Sequence, residues 1–207
     1  LKNRHLFMFG GSPPFTGQSA EKFASHINGK VAILFLERDG WKEYMPKYTS
    51  VLENQGIRDF LYLPLTSSPD QSIINELTTC SGLIIGGGDT ELYRDYIVDT
   101  EIGVHIKRMY QQGIPVAGFS AGALISPSCC VIPPIDNSKK EHLFLQGLGL
   151  LEDCVISVHY TKWNEETNLK AAMAKVKASV GYGIDDEGYV YFENEQLVEA
   201  EKYYKFT

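Results

Sequence analysis

The segment Gly118-Phe119-Ser120-Ala121-Gly122 has the residue types and spacing best suited to chemistry in this chain. An apolar run, Gly113-Ile114-Pro115-Val116-Ala117, leads into it, and small helix-compatible residues follow. A serine between two glycines at a strand-to-helix turn is the form of a nucleophile elbow, which lifts the hydroxyl clear of the sheet. Gly118 and Gly122 leave space where a β-carbon would meet neighbouring backbone. The helix that starts here is expected to offer free N–H groups and its positive end to charge developing beside the serine. Acyl transfer needs that pairing of an exposed nucleophile with a stabilised oxyanion. The competing reading is a turn in which Ser120 only caps the helix. A phosphate cradle would call for a Walker lysine, and none follows Gly122.

Gly86-Gly87-Gly88-Asp89-Thr90 follows the apolar Leu83–Ile85. Three glycines let backbone approach a ligand closely, so an N–H near Gly88 can serve as one oxyanion donor, with the Ala121 N–H as the other. Asp89 also suits the N-cap of the next helix, and one residue can do both jobs. Of the five histidines, His159 is the best-placed general base, at the end of Val155–Val158 and the start of a loop holding Tyr160, Thr161, Lys162 and Trp163. His5, His26, His105 and His142 fall on a strand start, on amphipathic helices or in a charged stretch. The acid that would orient the imidazole is open between Asp186, in Asp185-Asp186-Glu187, and Asp136, in the loop after the elbow. The acidic triplet also reads as a turn before Gly188.

These residues need a scaffold, and the pattern around them supplies one. Short apolar runs at His5–Phe9, Lys30–Leu36, Phe60–Leu63, Leu83–Ile85 and Pro115–Phe119 read as strands. Helical spacing marks Ser19–Ile27, Trp41–Asn54, Gln71–Leu77, Glu91–Tyr96 and Ile102–Gln112 between them. Such alternation predicts a mostly parallel sheet covered on both faces, with ligands beyond the carboxyl ends of the strands. Gly10-Gly11, Gly86–Gly88 and Ser120 all fall at such ends. Beyond the elbow, Ser126–Lys140 reads as a loop or short hairpin, Val155–Val158 as a strand and Glu165–Ala178 as a helix. Gly181–Ile184, Tyr189–Glu193 and Gln196–Ala200 read as closing strands. No repeat or linker interrupts the chain, and one domain over residues 1–207 is expected.

The chain has 207 residues, 43% apolar and 22% charged, the proportions of an ordinary globular protein. A formal charge of −7 without a basic stripe argues against nucleic acid as a partner. No apolar run approaches the roughly 20 residues of a membrane helix. Leu1 to Gly11 is too short and too soon broken for a signal peptide. Cys80, Cys129, Cys130 and Cys154 lack metal-ligand spacing, so reduced thiols in the cytoplasm are expected.

At these motifs the chain resembles the family of serine peptidases that contains dipeptidase E and cyanophycinase. The resemblance runs over most of the chain, through Gly86–Thr90, Gly118–Ala123, Leu148-Gly149-Leu150, Val158-His159-Tyr160 and Gly183-Ile184-Asp185-Asp186. It implies a single three-layer α/β sandwich similar to class I glutamine amidotransferases, of flavodoxin-like architecture, with serine where those enzymes use cysteine. It also implies Ser120 as nucleophile, His159 as base and an oxyanion hole near Gly88 and Ala121. For the acid, the resemblance leaves both Asp186, where the family often carries glutamate, and Asp136, in the loop after the elbow; Asp186 is preferred. Asp89 stands where the family commonly has asparagine or glutamine, near the substrate. Lys162 stands where cyanophycinase-like proteins carry arginines, and no arginine occurs beyond Arg108. A lysine does not reproduce arginine's bidentate grip on a carboxylate, so the specificity differs from both named relatives.

The resulting expectation is a cytoplasmic serine hydrolase that cleaves a peptide or amide bond in a small peptide, as monomer or homodimer, without metal or organic cofactor. The alternatives are a non-catalytic ligand-binding or regulatory domain of the same fold, and a serine esterase or amidase on a non-peptide substrate.

Overall fold

The computed structural model describes residues 2–207; Leu1, where the opening segment read above begins, lies outside the described residues. The first half alternates strand and helix. In chain order it runs β1 (His5–Phe9), α1 (Ser19–Ala24), β2 (Val31–Phe35), α2 (Trp41–Tyr44), α3 (Pro46–Glu53), β3 (Phe60–Pro64) and α4 (Gln71–Leu77). There follow β4 (Gly82–Ile85), α5 (Thr90–Val98), α6 (Glu101–Gln111), β5 (Val116–Phe119) and α7 (Ala121–Leu124). The second half comprises β6 (Cys129–Ile132), a 3₁₀ turn (Pro134–Asp136), β7 (Leu143–Gln146), β8 (Cys154–Ser157), α8 (Glu166–Val176), β9 (Val180–Glu193) and β10 (Gln196–Phe206).

Eight strands form one sheet in the order β10-β9-β1-β5-β4-β2-β3, with β8 added beside β9. The pairs from β1 through β5, β4 and β2 to β3 are parallel, as is β8 with β9, while β9 runs antiparallel to β1 and β10. This is the expected three-layer α/β sandwich with a mostly parallel sheet.

Side-chain alternation explains the layers. In β1, Leu6 and Met8 join a core with Ile74, Tyr93, Ile97 and Ile106 from the helices on one face. Phe7 and Phe9 point the other way, into a core with Phe23, Tyr48 and Leu52. Every residue of β1, β2, β4 and β5 is buried, as strands covered on both faces must be. A smaller cluster of Val131, Val155, Tyr160, Leu169 and Ala172 joins α8 and the β6–β7 hairpin to β8.

Three sequence expectations change. Trp41–Asn54 is two helices, because Pro46 has no N–H to continue the first ladder and begins the second. Ser126–Lys140 holds a full strand, β6, whose hairpin partner β7 lies beyond the expected loop. The acidic triplet is no turn: β9 is continuous from Val180 to Glu193. Between the pairs Tyr203↔Ile184 and Glu201↔Tyr189, the residues Asp185–Gly188 stand opposite Lys202 alone, so β9 bulges there.

Tyr203, Tyr204 and Phe206 lie on β10. Tyr160 packs on the rings of Tyr204 and Phe206 at 4.9 and 6.2 Å between centroids. Among the described residues no helix is long and apolar enough to cross a membrane, no cluster of three or more metal-ligating side chains occurs, and all four cysteines are free.

At the amino end of the sheet, the buried His5 ring stacks on His26 at 3.7 Å, with its Nδ1 2.7 Å from the Tyr191 hydroxyl. Burial, reinforced by His26, lowers the His5 pKa to about 4. The unfolded chain therefore binds a proton more readily than the folded one between pH about 6.5 and 4, and stability is lost as pH falls through that window. Urea midpoints measured from pH 4 to 7 should rise with pH, and His5→Phe should flatten that rise.

Candidate active site

Four strand ends converge at the carboxyl edge of the sheet, and each delivers one part of the site. Ser120 follows β5, Gly86–Gly88 follow β4, His159 follows β8 and Gly10-Gly11 follow β1. The β9 bulge inserts between the ends of β8 and β1, since Ser157 pairs with Gly183 on one side and Phe9 with Tyr189 on the other. The same register brings His159 beside Asp185 and Asp186.

Ser120 adopts φ 52° and ψ −102°, and His159 adopts φ 46°, conformations rare for residues with a β-carbon. Close packing enforces the turn at Ser120. A β-carbon on Gly118 would stand 2.4 Å from the Gly122 carbonyl oxygen, and one on Gly122 would stand 2.5 Å from that of Ile85. Beneath it, Phe119 stacks on Phe9 at 4.2 Å and meets Phe15 and Tyr48 edge-on at 5.1 and 5.4 Å.

The backbone N–H of Ser120 donates to the Phe9 carbonyl at 3.0 Å, and that of His159 to the Gly10 carbonyl at 2.9 Å. With both backbones so held, Ser120 Oγ lies 3.0 Å from His159 Nε2, and His159 Nδ1 lies 2.7 Å from Asp186 Oδ1. A carboxylate can only accept, so Nδ1 carries the ring proton and Nε2 is left to accept from the serine hydroxyl. Ser120 makes no side-chain cap to α7. Its hydroxyl is spent on the imidazole, and the capping reading falls away.

Asp136, the rival acid, accepts from Thr90 Oγ1 at 2.6 Å. Burial raises its pKa, while Thr90 and the more distant His159 pull it down. Asp185 Oδ1 takes the Thr161 N–H at 2.9 Å and its hydroxyl at 2.6 Å, which ties down the loop after His159. Trp163 lies on the imidazole at 4.4 Å between centroids.

Gly87 faces the serine closely enough that an added β-carbon would stand 3.3 Å from Ser120 Cβ. Tyr93 supports this loop by donating from its hydroxyl to the Gly87 carbonyl at 3.3 Å. Burial pushes the Tyr93 hydroxyl up to about 12, so it stays a neutral donor. Among the described residues, neither the Gly88 nor the Ala121 N–H finds a backbone acceptor. The helix behind Ala121 is a single turn, so individual N–H groups rather than an aligned macrodipole must carry any anion binding there. Asp89 caps α5, accepting from the Leu92 N–H at 3.1 Å. Lys162 is exposed, with its nitrogen 3.9 Å from Asp186 Oδ2. Cys130 and Cys154 are buried thiols whose pKa values rise to about 12, which removes them as rival nucleophiles.

Gly10-Gly11 carry more than a strand end. A β-carbon on Gly10 would stand 2.2 Å from the carbonyl oxygens of Ile184 and Asp185, and one on Gly11 would stand 2.3 Å from that of Asp186. Two adjacent glycines after an apolar strand were the visible signal; the contact they permit is made with a segment over 170 residues later.

The model of peptidase family S51 matches residues 32–200, a span that holds Ser120, His159 and Asp186. Among curated proteins the chain is similar to the cyanophycinase of Synechococcus elongatus, at 23% identity over 153 residues, 70% of this chain and 48% of that protein. The cyanophycinase of Geminocystis herdmanii (strain PCC 6308) is 20% identical over 161 residues, 74% of this chain and 59% of that protein. The chain spans about half the length of the curated relatives it matches. Among solved structures, a peptidase from an acI-B1 Actinobacterium superposes with a TM-score of 0.71 at 17% identity, covering 91% of this chain and 83% of that one. A candidate peptidase E protein from Listeria monocytogenes EGD-e gives 0.62 at 18% identity, over 97% of this chain and 98% of that one. At such identities the likeness establishes the fold.

The contact at Gly10 is directly testable. Gly10→Ala should force the β9 bulge away and lower stability by about 1–3 kcal/mol, the usual cost of overpacking. Thermal denaturation should show a drop in Tm of several degrees. An unchanged Tm would mean the bulge moves freely.

Proposed function

We propose, for a chain that belongs to peptidase family S51, that it is a serine-type peptidase acting on small peptides through an acyl-enzyme on Ser120. The observation that carries this reading is the unbroken relay from Ser120 Oγ to His159 Nε2 at 3.0 Å and from His159 Nδ1 to Asp186 Oδ1 at 2.7 Å.

In the proposed reaction, Ser120 Oγ attacks the scissile carbonyl carbon while His159 Nε2 takes the hydroxyl proton. Asp186 holds the ring and stabilises the imidazolium that results. The Gly88 and Ala121 N–H groups receive the negative oxygen of the tetrahedral intermediate. The intermediate collapses as His159 returns the proton to the departing amine. Water, deprotonated by the same imidazole, then releases the acyl group. None of these steps requires a metal or organic cofactor. Asp89 and Lys162 flank the site and are proposed to contact substrate, Asp89 from the end of the glycine loop and Lys162 from beside Asp186. The reading places the enzyme in the cytoplasm, as a monomer or homodimer, with no nucleic-acid or membrane partner.

Two open clefts adjoin Asp186. One of about 490 Å³ lies toward Pro13 and Pro14, and one of about 420 Å³ lies toward Thr161 and Lys162.

A fluorophosphonate should label wild-type protein at Ser120 alone, read by mass spectrometry, and Ser120→Ala should abolish labelling. An unlabelled wild type would overturn the reading. In peptide hydrolysis, His159→Ala should lower kcat/KM about 10⁴-fold or more, and Asp186→Asn about 10³- to 10⁴-fold. Asp136→Asn should stay within about tenfold of wild type, because Asp136 touches Thr90 rather than the imidazole.

A further inference from the structure

Beside the relay lies a second polar site that the reaction above does not use. A cavity of about 10 Å³, room for one water-sized group, opens between the end of β8, the β6–β7 hairpin and the start of α8. Its polar lining is Ser157, Glu165, Asn168 and His142. Ser157 is only 8% exposed, and its Oγ has no hydrogen-bond partner among the described residues. Glu165 is 2% exposed; one of its oxygens accepts from Asn168 Nδ2, and among the described residues no cationic side chain forms an ion pair with it.

A buried hydroxyl without a partner and a buried carboxylate without a counter-charge are both costly unless something else completes them. Water could satisfy the hydroxyl but would not neutralise the carboxylate. The pKa of the nearby Asp136 carboxyl is raised by burial, with Asp89 and Glu165 adding to the rise and Thr90 and His159 opposing it. Burial raises the pKa of the Glu165 carboxyl, and the Asn168 hydrogen bond opposes the rise. The Asn168 amide favours the ionised form of Glu165 against that burial, and a bound cation would favour it further.

We propose that this cavity is a substrate subsite for a primary ammonium group, with the Glu165 carboxylate as counter-charge and the Ser157 hydroxyl as a second acceptor. The inference rests on the peptidase reading and names the substrate class for that site. An ammonium group is the size of a water molecule and donates three hydrogen bonds, whereas a planar guanidinium exceeds the space available. Ser157, on the wall of this cavity, stands two residues before His159 in the chain. The ammonium belongs either to the free amino terminus of a peptide or to a lysine-like side chain.

Calorimetric titration of the Ser120→Ala protein, which binds without turnover, separates these sources. One arm compares alaninamide with N-acetylalaninamide. The other compares N-acetyllysinamide with its 6-hydroxynorleucine isostere. In at least one arm the ammonium ligand should bind about 10- to 100-fold more tightly than its neutral counterpart. Adding Glu165→Gln should remove that preference and leave neutral ligands unchanged. Ser157→Ala, which deletes only the hydroxyl, should weaken the ammonium ligand about three- to tenfold and serves if the first variant does not fold. Equal binding of charged and neutral ligands in both arms, absence of saturable binding, or a preference that survives both substitutions would overturn the proposal. Fluorophosphonate labelling of wild-type Ser120 reports separately on the peptidase reading: labelling without ammonium preference defeats the subsite alone.

Discussion

Two consecutive peptide carbonyls at the end of β1 hold the site together. Phe9 accepts the Ser120 N–H and Gly10 accepts the His159 N–H, at 3.0 and 2.9 Å. Ser120 and His159, the proposed nucleophile and base, follow strands that are not neighbours, so a shared reference between them fixes their separation. That reference is stiff because β1 is buried along its length and paired on both sides, with β5 and β9. In the proposed reaction, a hydroxyl–imidazole distance set by two backbone bonds to a central strand would need no rearrangement when substrate arrives. Such preorganisation is where much of the rate enhancement of acyl-transfer enzymes originates.

Holding the site this way carries a conformational cost. Ser120 and His159 both have positive φ, at about 1–3 kcal/mol each for residues with a β-carbon. The aromatic packing of Phe119 with Phe9, Phe15 and Tyr48 opposes relaxation of the first. The loop after His159 is tied to Asp185 and closed over the ring by Trp163, which opposes relaxation of the second. Adjacent aspartates on one bulge thus divide the work: Asp186 orients the imidazole and Asp185 anchors its loop.

Much of this was legible in the residues. The strands β1, β2, β4 and β5 are near-continuous apolar runs, a local signal of burial on both faces, and their positions follow from it. The strand-to-helix turn at Ser120 was legible because its glycines sit within two residues of the serine. His159 was legible as a histidine at a strand end. The bulge in β9 was not, because Asp185-Asp186-Glu187-Gly188 has turn composition, and only pairing with β1, β8 and β10 makes it strand. Asp89 reads equally as cap or ligand, and the chain uses it to cap α5. Glu165 gave no signal, since an acidic residue at a helix start is ordinarily solvated.

By itself the sequence determined the alternating layers, the strand-to-helix turn at Ser120 and the two glycines after β1, all properties of neighbouring residues and of period-two or helical spacing. Tertiary structure alone decided which acid meets His159, since Asp136 and Asp186 are equivalent in type and both follow the elbow. The choice falls to Asp186 because β9 bulges where Gly10 and Gly11 have no side chains to hold it off, while Asp136 is engaged by Thr90. That depends on backbone–backbone contact across nearly the whole chain, which no local pattern encodes.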